Sequence, residues 1–213
     1  MRDLIAIIVG ILGCSGLCAQ TWNFGVDAGY LYNILSTKEY KASGKNGFQV
    51  GALVDYSFSN NLILESGLYF QRKGGEISGD RILGLNVSRI DFPEMDYLRV
   101  PIMVGYRIRI CSDFSVAAQA GAYWAVGVGG HSFVTGINSF EQPYHARVST
   151  FSEDSAIPYR PCNRSDLGIA LCVNLKYRHI GIKMGYDLAL TNFTLYGDSK
   201  HRTFSIGAEY WLK

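Results

Sequence analysis

The sequence predicts an all-β fold: an eight-stranded antiparallel up-and-down transmembrane β-barrel with four long outer loops and short periplasmic turns. Three observations predict it. Apolar and polar residues alternate with period two along most of the chain, the pattern of strands with one apolar face. The alternating stretches run to roughly 10–13 residues, where globular strands average ~5–6 and membrane-spanning strands need ~9–11. Tight connections then alternate with long ones, the layout of a barrel with turns in the periplasm and loops outside.

The elements follow in order. Arg2, the apolar run LIAIIVGILG and the small-residue tract CSGLCAQ read as an export signal over residues 1–19, cleaved after Ala19, with residues 20–213 forming one barrel domain. The run is shorter than the ~20 apolar residues of a spanning helix. A second reading makes Cys14, in ILGC, an acylated lipoprotein cysteine.

The first strand sets Trp22, Phe24, Val26, Ala28, Tyr30 and Tyr32 against Asn23, Gly25, Asp27 and Gly29. The second sets Phe48, Val50, Ala52, Val54, Tyr56 and Phe58 against Gln49, Gly51 and Asp55. After a tight turn at 59–61, Leu62, Leu64, Leu68 and Phe70 oppose Glu65, Gly67 and Tyr69. In the fourth strand every even position from Leu98 to Ile110 is apolar, and Arg99, Arg107 and Arg109 share the odd face. A turn at 111–113 leads to Phe114, Val116, Ala118, Ala120, Ala122 and Trp124, opposed by Ser115, Gln119 and Gly121.

The sixth strand runs from Leu167 to Tyr177 on its apolar face and carries Asp166, Gly168, Asn174 and Lys176 on the other. Arg178 and His179 turn it into the seventh, where Ile180, Ile182, Met184, Tyr186 and Leu188 oppose Lys183 and Asp187. The last sets Phe204, Ile206, Ala208, Tyr210 and Leu212 against Glu209 and Trp211. Segments 35–47, 72–96, 128–165 and 191–201 remain as outer loops.

A soluble lipocalin-like barrel binding an apolar ligand would also alternate, with the opposite face outward. The contents of the two faces choose between them. The polar face is rich in glycine, which suits the crowded interior of eight strands. The apolar face keeps Ala, Val, Leu and Ile in its middle. It places Trp22, Tyr32, Tyr56, Phe58, Phe70, Phe114, Trp124, Tyr177 and Tyr210 near its ends, as aromatic girdles.

An Arg facing lipid costs ~2–4 kcal/mol at the midplane. The arginines therefore point inward. We expect a lumenal charge network of Arg99, Arg107, Arg109, Lys176 and Lys183 with Asp27, Asp55, Glu65, Asp166, Asp187 and Glu209. Such a network plugs the lumen, so no wide pore is expected.

The pieces LILESGLYFQRKGG, MDYLRVPIMVGYRI, FSVAAQAGAYWAVGVGG, DLGIALCVNLKYRHIGIKMGYDLAL and RTFSIGAEYWLK resemble the PorT-like outer-membrane β-barrel proteins of Bacteroidetes. The likeness covers nearly all of the mature chain. It implies residence in the outer membrane of a Gram-negative bacterium, allows a link to protein secretion, and implies no catalytic residue set.

Other chemistry finds little footing. A net charge of +2 offers no basic footprint for nucleic acid. Cys111, Cys162 and Cys172 have neither metal-ligand nor redox spacing. His131, Ser132 and Glu141 can be drawn as a triad for a barrel enzyme acting on lipid or peptide, but solvated loop histidines, His145 and His201 among them, explain the pattern better. KGGEISGD and VGVGG lack the strand–helix context of a phosphate loop. DSA at 154–156 resembles an O-glycosylation acceptor of Bacteroidetes.

The expectation is thus a non-enzymatic barrel without catalytic, cofactor or metal sites. Its partners are outer-membrane lipid and a surface or secretion-system protein met through the outer loops. No oligomeric state follows from the sequence.

Overall fold

The computed structural model describes residues 21–37, 41–79, 87–137, 142–152, 162–193 and 199–212. The export segment and the DSA tripeptide lie outside these residues. The described residues form nine strands: β1 (Thr21–Thr37), β2 (Lys41–Ser57), β3 (Leu62–Ser78), β4 (Val87–Arg109), β5 (Phe114–Ile137), β6 (Pro143–Ser149), β7 (Ser165–Tyr177), β8 (Ile180–Ala189) and β9 (Ser199–Trp211).

Eight of them close a barrel in meander order, with β5 pairing to β7, β9 pairing back to β1, and every pairing antiparallel. The eight predicted strands are this wall. The ninth, β6, stands in what the sequence reads as the third outer loop and pairs with the far end of β5 (His131↔Ser149 to Ile137↔Pro143).

The long loops need correction. Much of 35–47, 72–96 and 128–165 is strand: β4 has 23 residues and β5 has 24. A span of ~9–11 residues leaves about a dozen in each to rise beyond the membrane. The reason that alternation missed them is a change of phase. Inward-facing residues of β5 are odd-numbered up to Gly127, then even-numbered at Ser132 and Val134. In β4 they switch from Met95 and Tyr97 to Ile90 and Phe92. Register shifts lie at these places, between Asp91 and Glu94 and between Asp96 and Tyr97. One extra residue flips every later side chain to the other face.

Gly130 makes the β5 irregularity feasible. Its φ is +136°, a conformation L side chains rarely adopt, and a Cβ there would overlap the Glu94 carbonyl oxygen. The VGVGG run is therefore a bulge.

The outer wall is apolar. Phe24, Val26, Val50, Leu68, Ile102, Val104, Leu171, Ile182 and Ile206 are all exposed. A soluble protein rarely presents such a continuous surface. The inner face holds the charged and amide side chains, buried. The soluble, lipocalin-like alternative is thereby excluded, since it needs the apolar face inside.

Candidate functional site

Aromatic side chains ring the wall at two levels. At the turn end, Trp22 stands opposite Tyr56 with ring centroids 4.8 Å apart, Phe58 packs edge-on to Tyr56 at 4.7 Å, and Phe114 stands opposite Tyr177. Tyr210 is beside Ile180 at the same end. At the loop end, Tyr32 pairs with Phe204, Phe48 and Phe70 lie 6.1 Å apart, and Trp124 projects outward, bonding Ser165 Oγ through its indole N–H at 3.1 Å.

Between these rings the lumen is packed with ion pairs in layers. Nearest the turns, Arg107 pairs with Asp55 and donates to Ser57 Oγ at 2.9 Å. Above it, the Lys183 ammonium pairs with Glu65 and lies 3.2 Å from Glu209. Asn174 and the Trp211 indole both donate to Glu209, and Gln119 donates to Glu65 at 2.9 Å. Asp27 accepts from Gln49 at 2.7 Å, and Gln49 in turn accepts from Gln71 at 3.0 Å.

Higher still, Arg99 pairs with Asp187 at 2.9 Å, its guanidinium between the rings of Tyr69 and Tyr123, 5.7 and 5.0 Å from their centroids. The rings need room: a Cβ on Gly51 would come within 2.6 Å of the Tyr69 ring. One pocket among these groups, about 30 Å³, is bounded by Glu65, Arg99, Lys183 and Asp187. That is room for about one water.

Two of the expected cations depart from this network. Arg109 is exposed at the turn-side mouth and has no carboxylate partner among the described residues. Lys176 is half-buried and rests over the Trp211 ring, 4.2 Å from its centroid, likewise without an ion pair among the described residues. The reason is position. Both stand at the last inward places of their strands, beyond the layer that holds Asp55 and Glu209.

Asp166 has an unexpected partner, Lys73, whose ammonium lies 3.7 Å away and is fully buried. Lys73 falls within 72–96, which the sequence predicts to be an outer loop. Its odd number, in phase with Glu65, Tyr69 and Gln71, was the signal that it continues the inner face of β3.

The loop end of the barrel is capped by an apolar cluster including Leu35, Ile90, Phe92, Tyr97, Phe151 and Phe193. Here His201 is also a correction: it is buried, not solvated. Its ring stands 3.2 Å from Asn33 Oδ1 and 3.4 Å from the Tyr97 hydroxyl, with Phe193 against it at 4.8 Å. It is buried because β9 begins at Ser199, paired with Thr37, so residue 201 is already wall. Burial holds this imidazole well below its ordinary pKa, and the Lys73 charge adds to the effect.

The drawn triad does not assemble. His131 and Ser132 are neighbours on one strand and face opposite ways. His131 is exposed, while Ser132 is buried with its hydroxyl 2.8 Å from Thr150. Glu141 lies outside the described residues. His145 is exposed on β6, 3.0 Å from the Thr135 hydroxyl.

A closed eight-stranded barrel with an apolar exterior, two aromatic rings and an ionised, filled lumen is an integral outer-membrane protein of a Gram-negative bacterium. The chain belongs to the outer membrane protein beta-barrel domain family, whose model matches residues 18–195. No curated protein matches it.

Among solved structures it is similar to the outer membrane protein OprG of Pseudomonas aeruginosa, at 12% identity and a TM-score of 0.50, over 91% of this chain and 97% of that one. It is also similar to the attachment invasion locus protein Ail of Yersinia pestis, at 16% identity and a TM-score of 0.45, over 89% and 98% of the two chains. Neisserial surface protein A matches at 12% identity and a TM-score of 0.45, over 88% and 96%. At these identities the likeness is one of fold.

Proposed function

We propose that this protein is a non-enzymatic barrel of the PorT-like kind found in Bacteroidetes, exported by a signal removed after Ala19, that works through its extracellular sheet on a surface or secretion-system partner. The observation that carries this reading is the pairing of a lumen closed twice with a sheet raised far above the membrane. Among the described residues, charged layers fill the lumen and an apolar cluster caps its loop end. The outer ends of β2 to β5, extended by β6, form instead a stiff platform. Cross-strand ion pairs lace it: Arg72 with Asp96 at 2.7 Å, Arg89 with Glu76 at 2.7 Å, and Lys45 with Asp91. A protein that only needed to fill the bilayer would not require strands of this length.

The test has two arms. Photo-crosslinkers placed at His145 or Arg147 on β6 in living cells should yield one discrete adduct, where a crosslinker at the lipid-facing Ile206 yields none of that mass. Replacing the β5–β6 tip by a short flexible linker should leave a folded barrel that reproduces the phenotype of the gene deletion. A tip-less protein that behaves as wild type in cells would refute an extracellular role.

A further inference from the structure

The turn-side mouth carries a second cluster that neither the barrel's stability nor the extracellular sheet uses. Arg109, Ser115 and Lys176 occupy one row across three strands, since Arg109 pairs with Ser115 and Ser115 with Lys176. All three lie on the inner face. Neighbouring strands are about 4.8 Å apart, so the backbones of the two cationic residues flank that of Ser115, and the Lys176 side chain reaches toward β9, over the Trp211 ring. Arg107 stands one pleat deeper in β4. Arg178, in the β7–β8 turn, borders the same cavity, its backbone at a φ of +53° and its guanidinium 2.9 Å from Asp113.

Together these groups border an open cavity of about 230 Å³. Its lining holds four cations, Arg107, Arg109, Lys176 and Arg178, and one carboxylate, Asp113. Counting Asp55 behind Arg107 still leaves an excess of two positive charges. The excess is localised in Arg109 and Lys176, the two inward cations without a carboxylate among the described residues. Elsewhere in the lumen a cation without a carboxylate would be expensive. Here the cavity opens to water, and the charges are available.

We propose that this mouth is a binding site for a phosphate group, taken up in the open cavity that Arg109, Lys176 and Ser115 line together. Two cations and a hydroxyl donor lining one cavity match the oxygens of a phosphate better than a single carboxylate. The level of the site suggests where such a group comes from. Phe58 and Phe114 belong to the periplasmic aromatic ring and also line the cavity. Aromatic rings of this kind sit at headgroup height. A phospholipid of the inner leaflet therefore has its phosphate at the height of the mouth, and a soluble phosphate reaches the same place from the periplasm. This inference is independent of the extracellular role proposed above and rests only on the direction of the barrel in the membrane.

The experiment uses the full barrel folded in maltoside micelles, which contain no phosphate. Backbone amide resonances of Arg109, Ser115 and Lys176 are followed while inorganic phosphate is added, and separately while phosphatidylglycerol is doped into the micelle. The expected result is a saturable shift of these amides that weakens at least tenfold in R109Q/K176Q and is unchanged in R147Q on the distant β6. A response to phosphatidylglycerol at least tenfold stronger than to phosphate identifies the headgroup as the source, and the reverse identifies soluble phosphate. Folding of each variant is checked by heat-modifiable gel mobility. Should the double variant fail to fold, R109Q alone, at an exposed position, should weaken binding at least threefold. Amides that respond to neither probe, or respond equally in the variants, overturn the proposal.

Discussion

At the scale of single residues, burial decides what each charge is worth. Arg99 and Asp187 are both nearly sequestered and bonded at 2.9 Å. Removing one partner from such a pair costs about 3–5 kcal/mol because the other is left unpaired, whereas replacing both with apolar side chains is often close to neutral. Asp187→Ala should therefore lower the urea midpoint of refolded barrel markedly, and Arg99→Met/Asp187→Leu should recover most of the loss. Arg109→Gln should leave that midpoint where it is, since Arg109 is exposed. The sequence marks which face each of these residues occupies, because alternation is a property of the residue and its neighbours. It does not mark who pairs with whom. That Lys73 goes to Asp166, and that Lys183 bridges Glu65 and Glu209, depends on strand stagger around a closed wall, which no local pattern encodes.

At the scale of elements, the membrane-spanning halves were legible and the extracellular halves were not. Lipid imposes a strict apolar face on the former. Above the membrane both faces of a strand tolerate polar residues, and bulges reverse the phase, so period two disappears just where β4 and β5 continue. Gly130 is the hinge of this argument. Gly130→Val forces a side chain onto a positive φ and against the Glu94 carbonyl, a strain of order 1–3 kcal/mol. It should expose the β5–β6 tip to limited proteolysis while the barrel keeps its heat-modifiable mobility.

The cap offers a second element-level prediction. His201 lies above the outer aromatic ring, and its imidazole is held neutral by burial, below the ordinary value of 6.5. For a base with a depressed folded pKa, the unfolded or opened form takes up the proton first. Stability is then complete above about 6.5 and declines as the pH falls from there toward the depressed value. Amide exchange at Asn33 and Thr203, which share a hydrogen bond beside His201, should quicken between pH 7.5 and 5.5 relative to intrinsic rates. In His201→Gln that extra quickening should vanish.

At the scale of the whole molecule, one decision organises everything else: which side of the sheet is solvated by hydrocarbon. If the wall is wet by lipid, the lumen must satisfy its own charges, and among the described residues ion pairs and amides fill it. Insertion into planar bilayers should accordingly give no large, stable conductance steps. The closed order of eight strands, the periplasmic placement of the tight turns and the polarity of the two faces all followed from the sequence, because each is a consequence of spanning a bilayer with strands. The height of the extracellular sheet and the apolar cap did not follow, because they answer to packing among distant segments.

The three tryptophans supply the most direct test. Trp22 and Trp124 project from the wall at opposite rings, 53% and 52% exposed, while Trp211 is 2% exposed inside. Single-tryptophan variants, with Phe at the other two sites, can be placed in vesicles whose acyl chains are brominated near the headgroup. The structure predicts strong quenching of Trp22 and Trp124 and almost none of Trp211. Strong quenching of Trp211 by brominated chains, with Trp22 and Trp124 answering to an aqueous quencher instead, would contradict the account at its root.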